Sequence, residues 1–172
     1  RIVRLKTARG RGGVLEKMWF KGLSGDNILR EAIHLNMLDT GTRMPAQPVS
    51  ITTPAIRDIH FENIQCLSGK SYAIELLGLP EKSIENVSFD SITASVDMGI
   101  NLSDVRGIHI RHSTITANVL PTIKVTDGES ITLDAMTLPD GLKQFMRVEG
   151  ARSGNIRIRR TGGGEIGRLV ST

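Results

Sequence analysis

Two short patterns of alternating apolar residues recur along the chain, and they constrain its fold more than any other feature. The first pattern, apolar-x-apolar-x-x-apolar, begins at Met18, Ile59, Val87, Ile108, Ile131 and Ile156. The second pattern, apolar-x-apolar beside a small or turn-forming residue, begins at Val3, Ile33, Ile74, Ile100, Ile123 and Met146. Both series repeat every 21 to 30 residues, apart from one interval of 41 residues in each. The alternation predicts β-strands that bury one face, and the Gly, Asn, Asp, Ser and Pro clusters between them predict turns.

Two interleaved series of strands at a near-constant interval are typical of a solenoid. In a parallel β-helix each coil adds one strand to each of two or three parallel sheets, and stacking of the coils buries the inward residues. We therefore expect an all-β chain that forms a single domain over residues 1–172, with no helix even in the segment NILREAIHLNM. The expected buried columns are Ile59, Val87 and Ile108 in one sheet, and Ile74, Ile100 and Ile123 in another.

The segments between the strands also carry structural signals. Asn63, Asn86 and Asn101 suit a left-handed backbone with side-chain hydrogen bonds between turns, or are simply solvated turn residues. The interval of 41 residues contains a segment rich in Thr and Pro, Leu38–Pro54, which predicts a long surface loop of the kind that edges binding clefts. No polar cap is recognisable at the start of the chain, so we expect further coils upstream of Arg1.

Composition narrows the class of protein without naming it. The net charge of +4 and the pI near 9.6 favour acidic partners. No apolar run reaches the roughly 20 residues that a membrane helix needs, so no membrane partner is expected. The single cysteine, Cys66, excludes an intrachain disulfide and is either a small buried hydrophobe or a reactive thiol.

The segment VRLKTARGRGG, residues 3–13, concentrates four positive charges near the start of the chain. On a strand, Val3 and Leu5 point inward, so Arg4 and Lys6 point outward together, about 6.6 Å apart at ~3.3 Å per residue. That spacing suits one carboxylate held by two cations, since Arg offers two parallel N–H donors and Lys a movable point charge. The alternative is that both are solvated charges on the outside of the solenoid.

The stretch RLKTARGRGGVLEKMWFKGL, with its R-x-K-T and G-R-G-G motifs, resembles glycoside hydrolase family 28, the polygalacturonase-like pectin hydrolases. The segments EAIHLNM, TPAIRDIHFENIQC and AIELLGLPEKSIENVSFDSITA resemble the following coils of bacterial members, so the resemblance extends from Arg1 to about Thr116. It implies a right-handed parallel β-helix that hydrolyses galacturonan bonds by inversion, outside the cell or in the periplasm. It also implies that Arg4 and Lys6 bind the carboxylate of the substrate, which would be polygalacturonate or a related pectin.

Other features depart from that family. Its catalytic aspartates lie in N-T-D, D-D and G-H-G motifs, and none of these occurs in the chain. We therefore expect the C-terminal part of such an enzyme, without catalytic residues of its own. Glu31 stands where fungal endo-acting members often have Tyr, which leaves an exo-acting or rhamnogalacturonan-directed relative open. His34 and Asn36 follow one coil after Arg4 and Lys6, and are either residues of the same substrate cleft or solvated side chains.

The remaining clusters favour no other function class. Arg152, Arg157, Arg159, Arg160 and Arg168 form a basic cluster, but no aromatic residues interleave with it, so nucleic acid is not an expected partner. His60, His109 and His112 lack ligand spacing with acidic residues, so neither a metal site nor another cofactor is expected. Because the catalytic motifs are absent, a non-catalytic β-helix module that binds acidic polysaccharide is the alternative to the hydrolase.

Overall fold

Parallel strand pairing organises the whole chain. The structure is a computed structural model that describes residues 1–39, 41–139 and 142–162, and the backbone of 170–171. Within these residues it is all-β, without helices, and its nine strands belong to one parallel sheet. No described segment forms a helix of the length and apolarity that crossing a membrane requires. The strands are β1 Val3–Lys6, β2 Val14–Gly25, β3 Ile33–Asn36, β4 Ala55–Leu77, β5 Ile84–Arg111, β6 Thr114–Asp134, β7 Met146–Glu149, β8 Gly154–Arg159 and β9 Val170–Ser171.

The strand register confirms the two repeat series. Each member of the second series pairs with the next in a parallel register, along the order Val3, Ile33, Ile74, Ile100, Ile123 and Met146. In the first series, Ile59 pairs with both Met18 and Val87, and Ile131 pairs with both Ile108 and Ile156. Long strands that pair in parallel at the interval of the repeats are compatible with a β-helix.

The inward faces of these strands form one hydrophobic core. Alternate Ile, Val and Leu residues are buried because successive side chains of a strand point to opposite faces. Three aromatic rings stack across neighbouring strands, with centroids 5.1 Å apart for Phe20 and Phe61 and 5.0 Å apart for Phe61 and Phe89. Cys66 is a buried member of this core with a free thiol, so its interpretation as a small buried hydrophobe is confirmed.

The predicted turn asparagines divide into two groups. Asn63 and Asn86 have positive φ angles of 54° and 53°, and Asn86 donates to Asp58, as a turn role requires. For Asn101 the left-handed backbone is wrong. Its φ is not positive, and it is the outward residue after Ile100, in register with Glu75 on one side and Lys124 on the other.

The predicted surface loop is confirmed, and it is held at fixed points. Among the described residues of 37–54 there is no strand, and most side chains are exposed. Arg43 donates from Nε to Oδ2 of Asp104 at 2.7 Å and from Nη2 to Oδ1 at 2.9 Å, and also binds Asp127. Asp104 is fully buried and also accepts from Arg152. The loop is therefore tied to β5, β6 and the segment between β7 and β8 by a four-residue ionic network.

Candidate functional site

Arg4 and Lys6 lie on β1, which is an edge strand of the sheet. Val3 is buried and Leu5 half-buried, whereas Arg4 is exposed and Lys6 is half-buried. Leu5 packs against the hydrophobic core, and alternation along the strand then places Arg4 and Lys6 on the outward face, as predicted. Lys6 donates from Nζ to the carbonyl oxygen of Asp39 at 3.1 Å, which places its ammonium beside the start of the long loop.

The same face continues across the sheet as a row of polar side chains. In register order the row is Arg4, His34, Glu75, Asn101, Lys124 and Arg147. Because neighbouring strands lie about 4.8 Å apart, this row places cations at both ends and an acid–imidazole group between them.

His34 and Asn36 are the residues whose environment differs most from the expectation of solvated side chains. Both face the predicted side of the sheet, but each is only 5 % exposed, so that expectation is wrong. Asn36 accepts the backbone N–H of Leu38 at its Oδ1, at 2.6 Å, and therefore stabilises the turn after β3. His34 is covered by neighbouring carboxylates and does not reach solvent beside Arg4 as an open subsite residue would.

His34 lies between two carboxyl groups. Its Nδ1 is 3.5 Å from Oε2 of Glu31, and its Nε2 is 3.3 Å from Oε2 of Glu75. Neither ring nitrogen makes a hydrogen bond within accepted geometry. Arg1 binds Glu31 through Nη2 at 2.8 Å, and Asn101 donates to Oε1 of Glu75 at 3.0 Å. Glu31, His34 and Glu75 thus form a partly buried cluster next to Arg4.

The surroundings shift the titration of all three groups. Burial lowers the pKa of His34, and Arg1, Arg4 and Lys6 lower it further against the attraction of Glu31. Burial also works against the charge of Glu31, but a backbone hydrogen bond and Arg1 outweigh it and hold the pKa of this carboxyl below its ordinary value. Burial raises the pKa of Glu75, and the charge of Glu31 adds to that increase.

These directions separate the two carboxyl groups. A neutral imidazole has one N–H donor and one acceptor nitrogen, so it can satisfy two carboxyl groups only if one of them carries a proton. The raised pKa makes Glu75 the easier of the two to protonate, whereas Arg1 favours the ionised form of Glu31.

Glu75→Gln is expected to change how stability depends on pH. Because the folded pKa of Glu75 lies above its ordinary value of 4.5, its favourable contribution is complete below that pH and is lost as the pH rises through the folded pKa. The free energy of unfolding of the wild type should therefore fall, relative to that of Glu75→Gln, as the pH rises. Urea denaturation at a series of pH values measures the difference. Glu129→Gln, at a half-exposed carboxyl paired with Arg106, is the control. If the free energy of unfolding of Glu75→Gln ran parallel to that of the wild type across the pH range, the raised pKa of Glu75 would be contradicted.

The same cluster is the one group in the described residues with metal-ligand geometry. Glu31, His34 and Glu75 place one ligand atom each within 4.8 Å of one another. This set was not predicted from the sequence, although Glu31 lies three residues before His34 and the 41-residue interval pairs His34 with Glu75. Arg1 and Asn101 each donate a hydrogen bond to one of the two carboxyl groups.

The other sequence-predicted residues lie elsewhere. His60, near the start of β4, contacts Ser88 at 2.8 Å, and His112, between β5 and β6, contacts Asp90 at 2.9 Å. In the basic cluster, Arg152 binds Asp104 and Arg160 binds Asp134. Arg157 and Arg159 remain exposed on β8. Arg168 lies outside the described residues.

The outer face therefore joins the cations of β1 to a buried acid–imidazole cluster. The chain matches no family model, no curated protein and no solved structure.

Proposed function

We propose that this chain is the substrate-binding, C-terminal part of a polygalacturonase-like pectin hydrolase, built as a right-handed parallel β-helix. The observation that carries the proposal is the pair Arg4 and Lys6, which share the outward face of β1 beside His34 and its two carboxyl neighbours. The family resemblance of the segment that contains this pair supplies the substrate class.

The cation pair suits a sugar carboxylate for electrostatic reasons. Arg4 is exposed and has no ion-pair partner among the described residues, so its guanidinium can offer two parallel N–H donors. Lys6 lies two residues along the same strand, about 6.6 Å away at ~3.3 Å per residue. Of the two carboxyl groups beside this pair, Glu31 is bound by Arg1, and burial disfavours the charge of Glu75.

The β-helix part of the proposal rests on the register. Each residue of the second series pairs with the residue at the same position of the next repeat. All strand pairs between β1 and β9 are parallel. A right-handed course is supported by the strong preference of parallel crossover connections for that hand.

The hydrolytic part requires carboxyl groups from elsewhere in the parent protein. Inverting glycosidases place an acid and a base about 6.5–9.5 Å apart, on either side of the scissile bond. In this chain the carboxyl groups beside Arg4 are Glu31 and Glu75, and both are engaged with His34 and further partners. The chain thus contributes substrate binding, and a secreted or periplasmic location follows from the substrate.

Arg4→Ala in the full-length gene product is expected to lower kcat/KM on polygalacturonate by about 10- to 100-fold, the loss of one charge-assisted hydrogen bond. Lys6→Ala should have a smaller effect, because its ammonium is already shared with the carbonyl of Asp39. Release of reducing ends measures both. Arg106→Ala, which removes an exposed charge of β5, is the control. Unchanged kcat and KM in Arg4→Ala would rule out the carboxylate-binding role.

A non-catalytic module that binds acidic polysaccharide is the second candidate. It is favoured by the absence of N-T-D, D-D and G-H-G from the sequence. The two candidates differ in one result. The hydrolase releases reducing ends from polygalacturonate in the full-length form, whereas the module binds the polymer and releases none.

A further inference from the structure

The only tryptophan of the chain lies on an outer face that is distinct from the Arg4 face. Trp19, on β2, is 69 % exposed, an unusual state for the largest apolar side chain. Its ring stacks on the imidazole of His60, with centroids 5.2 Å apart and planes inclined by 27°. His60 in turn is held at Nδ1 by Ser88 at 2.8 Å. The exposed ring is therefore supported from one side and open on the other.

Two adjoining cavities extend from this ring across the sheet. The first has a volume of about 240 Å³ and is lined by Trp19, His60, Ser88 and Arg111, among others. The second has a volume of about 440 Å³ and shares Ser88 and Arg111 with the first. We call the combined surface the Trp19 strip; its second cavity is also lined by His109, Thr132, Asp134, Arg157 and Arg159.

The charges along the Trp19 strip are not balanced. Arg111 is paired with Asp90 through Nε and Oδ2 at 2.9 Å, and Asp134 is paired with Arg160. Arg157 and Arg159 have no ion-pair partner among the described residues. The strip therefore has an aromatic ring at one end, hydroxyl and carboxylate groups in the middle, and unpaired guanidinium groups at the other end.

We propose that the Trp19 strip is a second binding surface, for an oligosaccharide that carries carboxylates. An exposed indole supported by His60 offers a flat apolar face for a sugar ring, and polar groups at its edge orient the ligand. Ser88, Thr132 and Asp90 can accept or donate hydrogen bonds to sugar hydroxyls. Arg157 and Arg159 would bind the carboxylates by paired N–H donors.

The same features disfavour a nucleic acid. Binding of single strands relies on successive aromatic platforms along a uniformly basic groove. The strip offers one tryptophan, and its lining includes the carboxylates of Asp90 and Asp134, so it is not uniformly basic. The choice of oligogalacturonate as the probe rests on the proposed function. The expectation that the strip binds a carboxylated sugar rests on Trp19, Arg157 and Arg159 instead.

Trp19 is itself the reporter for the test, because no other tryptophan contributes to the emission. Titration with oligogalacturonate should quench or shift the fluorescence in a saturable way. Arg157→Ala is expected to raise the Kd about tenfold, the loss of one charge-assisted hydrogen bond. Arg106→Ala removes the same charge from a position of β5 outside the strip and should leave the Kd unchanged.

The remaining outcomes separate this surface from the Arg4 site. Arg4→Ala should abolish neither the fluorescence change nor its dependence on Arg157, even if it reduces hydrolysis. An absent fluorescence change in the wild type, or one that Arg4→Ala removes, would overturn the inference. So would an equal response to a neutral glucose oligomer of the same length, or stronger binding of single-stranded DNA than of oligogalacturonate.

Discussion

Phe61→Ala is expected to lower the free energy of unfolding by about 3–5 kcal/mol, the range found for large aromatic residues removed from cores. The ring of Phe61 is 1 % exposed and stacks between the rings of Phe20 and Phe89. Its removal opens a cavity in the middle of the stack, and both neighbouring rings lose a partner. Urea denaturation followed by circular dichroism measures the change.

Phe20→Ala is the matched control, because Phe20 is only partly buried and stacks on one ring. It should cost clearly less than Phe61→Ala. Equal losses of the free energy of unfolding in the two variants would mean that the central position of Phe61 in the stack adds no stability.

Gly99→Ala is expected to lower the free energy of unfolding by about 3 kcal/mol, at the upper end of the usual cost of overpacking. A Cβ at Gly99 would lie 2.1 Å from the carbonyl oxygen of Thr122 on the neighbouring strand. Because the obstacle is backbone, no side-chain rotation relieves the contact, and the strands that pair Ile100 with Ile123 have to separate.

Gly154→Ala provides the comparison for this prediction. A Cβ there meets nothing within 4 Å, and its φ is not in the left-handed region. We expect it to be neutral or to stabilise by about 0.4–1 kcal/mol, since alanine restricts the unfolded chain. Thermal denaturation of the two variants side by side measures the contrast; equal losses would show that the close approach at Gly99 is unimportant.

Strand register was predictable because both of its determinants are visible in the sequence. The period of two defines which side of Ile74, Ile100 and Ile123 is buried, and the repeat interval defines which residues become partners. Pairing of these three residues in the structure follows that pattern. Asn101 was mistaken for a turn residue because composition alone does not separate an outward strand position from a nearby turn.

The site was predictable only in part, for a related reason. Alternation shows that Arg4 and His34 share a face, but not which other groups cover that face. His34 is buried because Glu31 and Glu75 close over it. Likewise, the attachment of Arg43 to Asp104 involves a loop without any periodicity, so no pattern in the sequence indicates it.

The register also has a consequence for how chains of this kind change length. Ile100 pairs with Ile74 on one side and with Ile123 on the other, so the three positions are interchangeable in the sheet. Excision of residues 100–122 would join Gly99 directly to Ile123 and place Ile123 beside Ile74, with like side chains still facing inward. Duplication of the same segment would insert an additional matching layer. Such a sequence can gain or lose whole units by recombination while the buried faces of the other strands keep their match, but loss of this unit also removes Asp104, the buried carboxylate that binds Arg43 and Arg152.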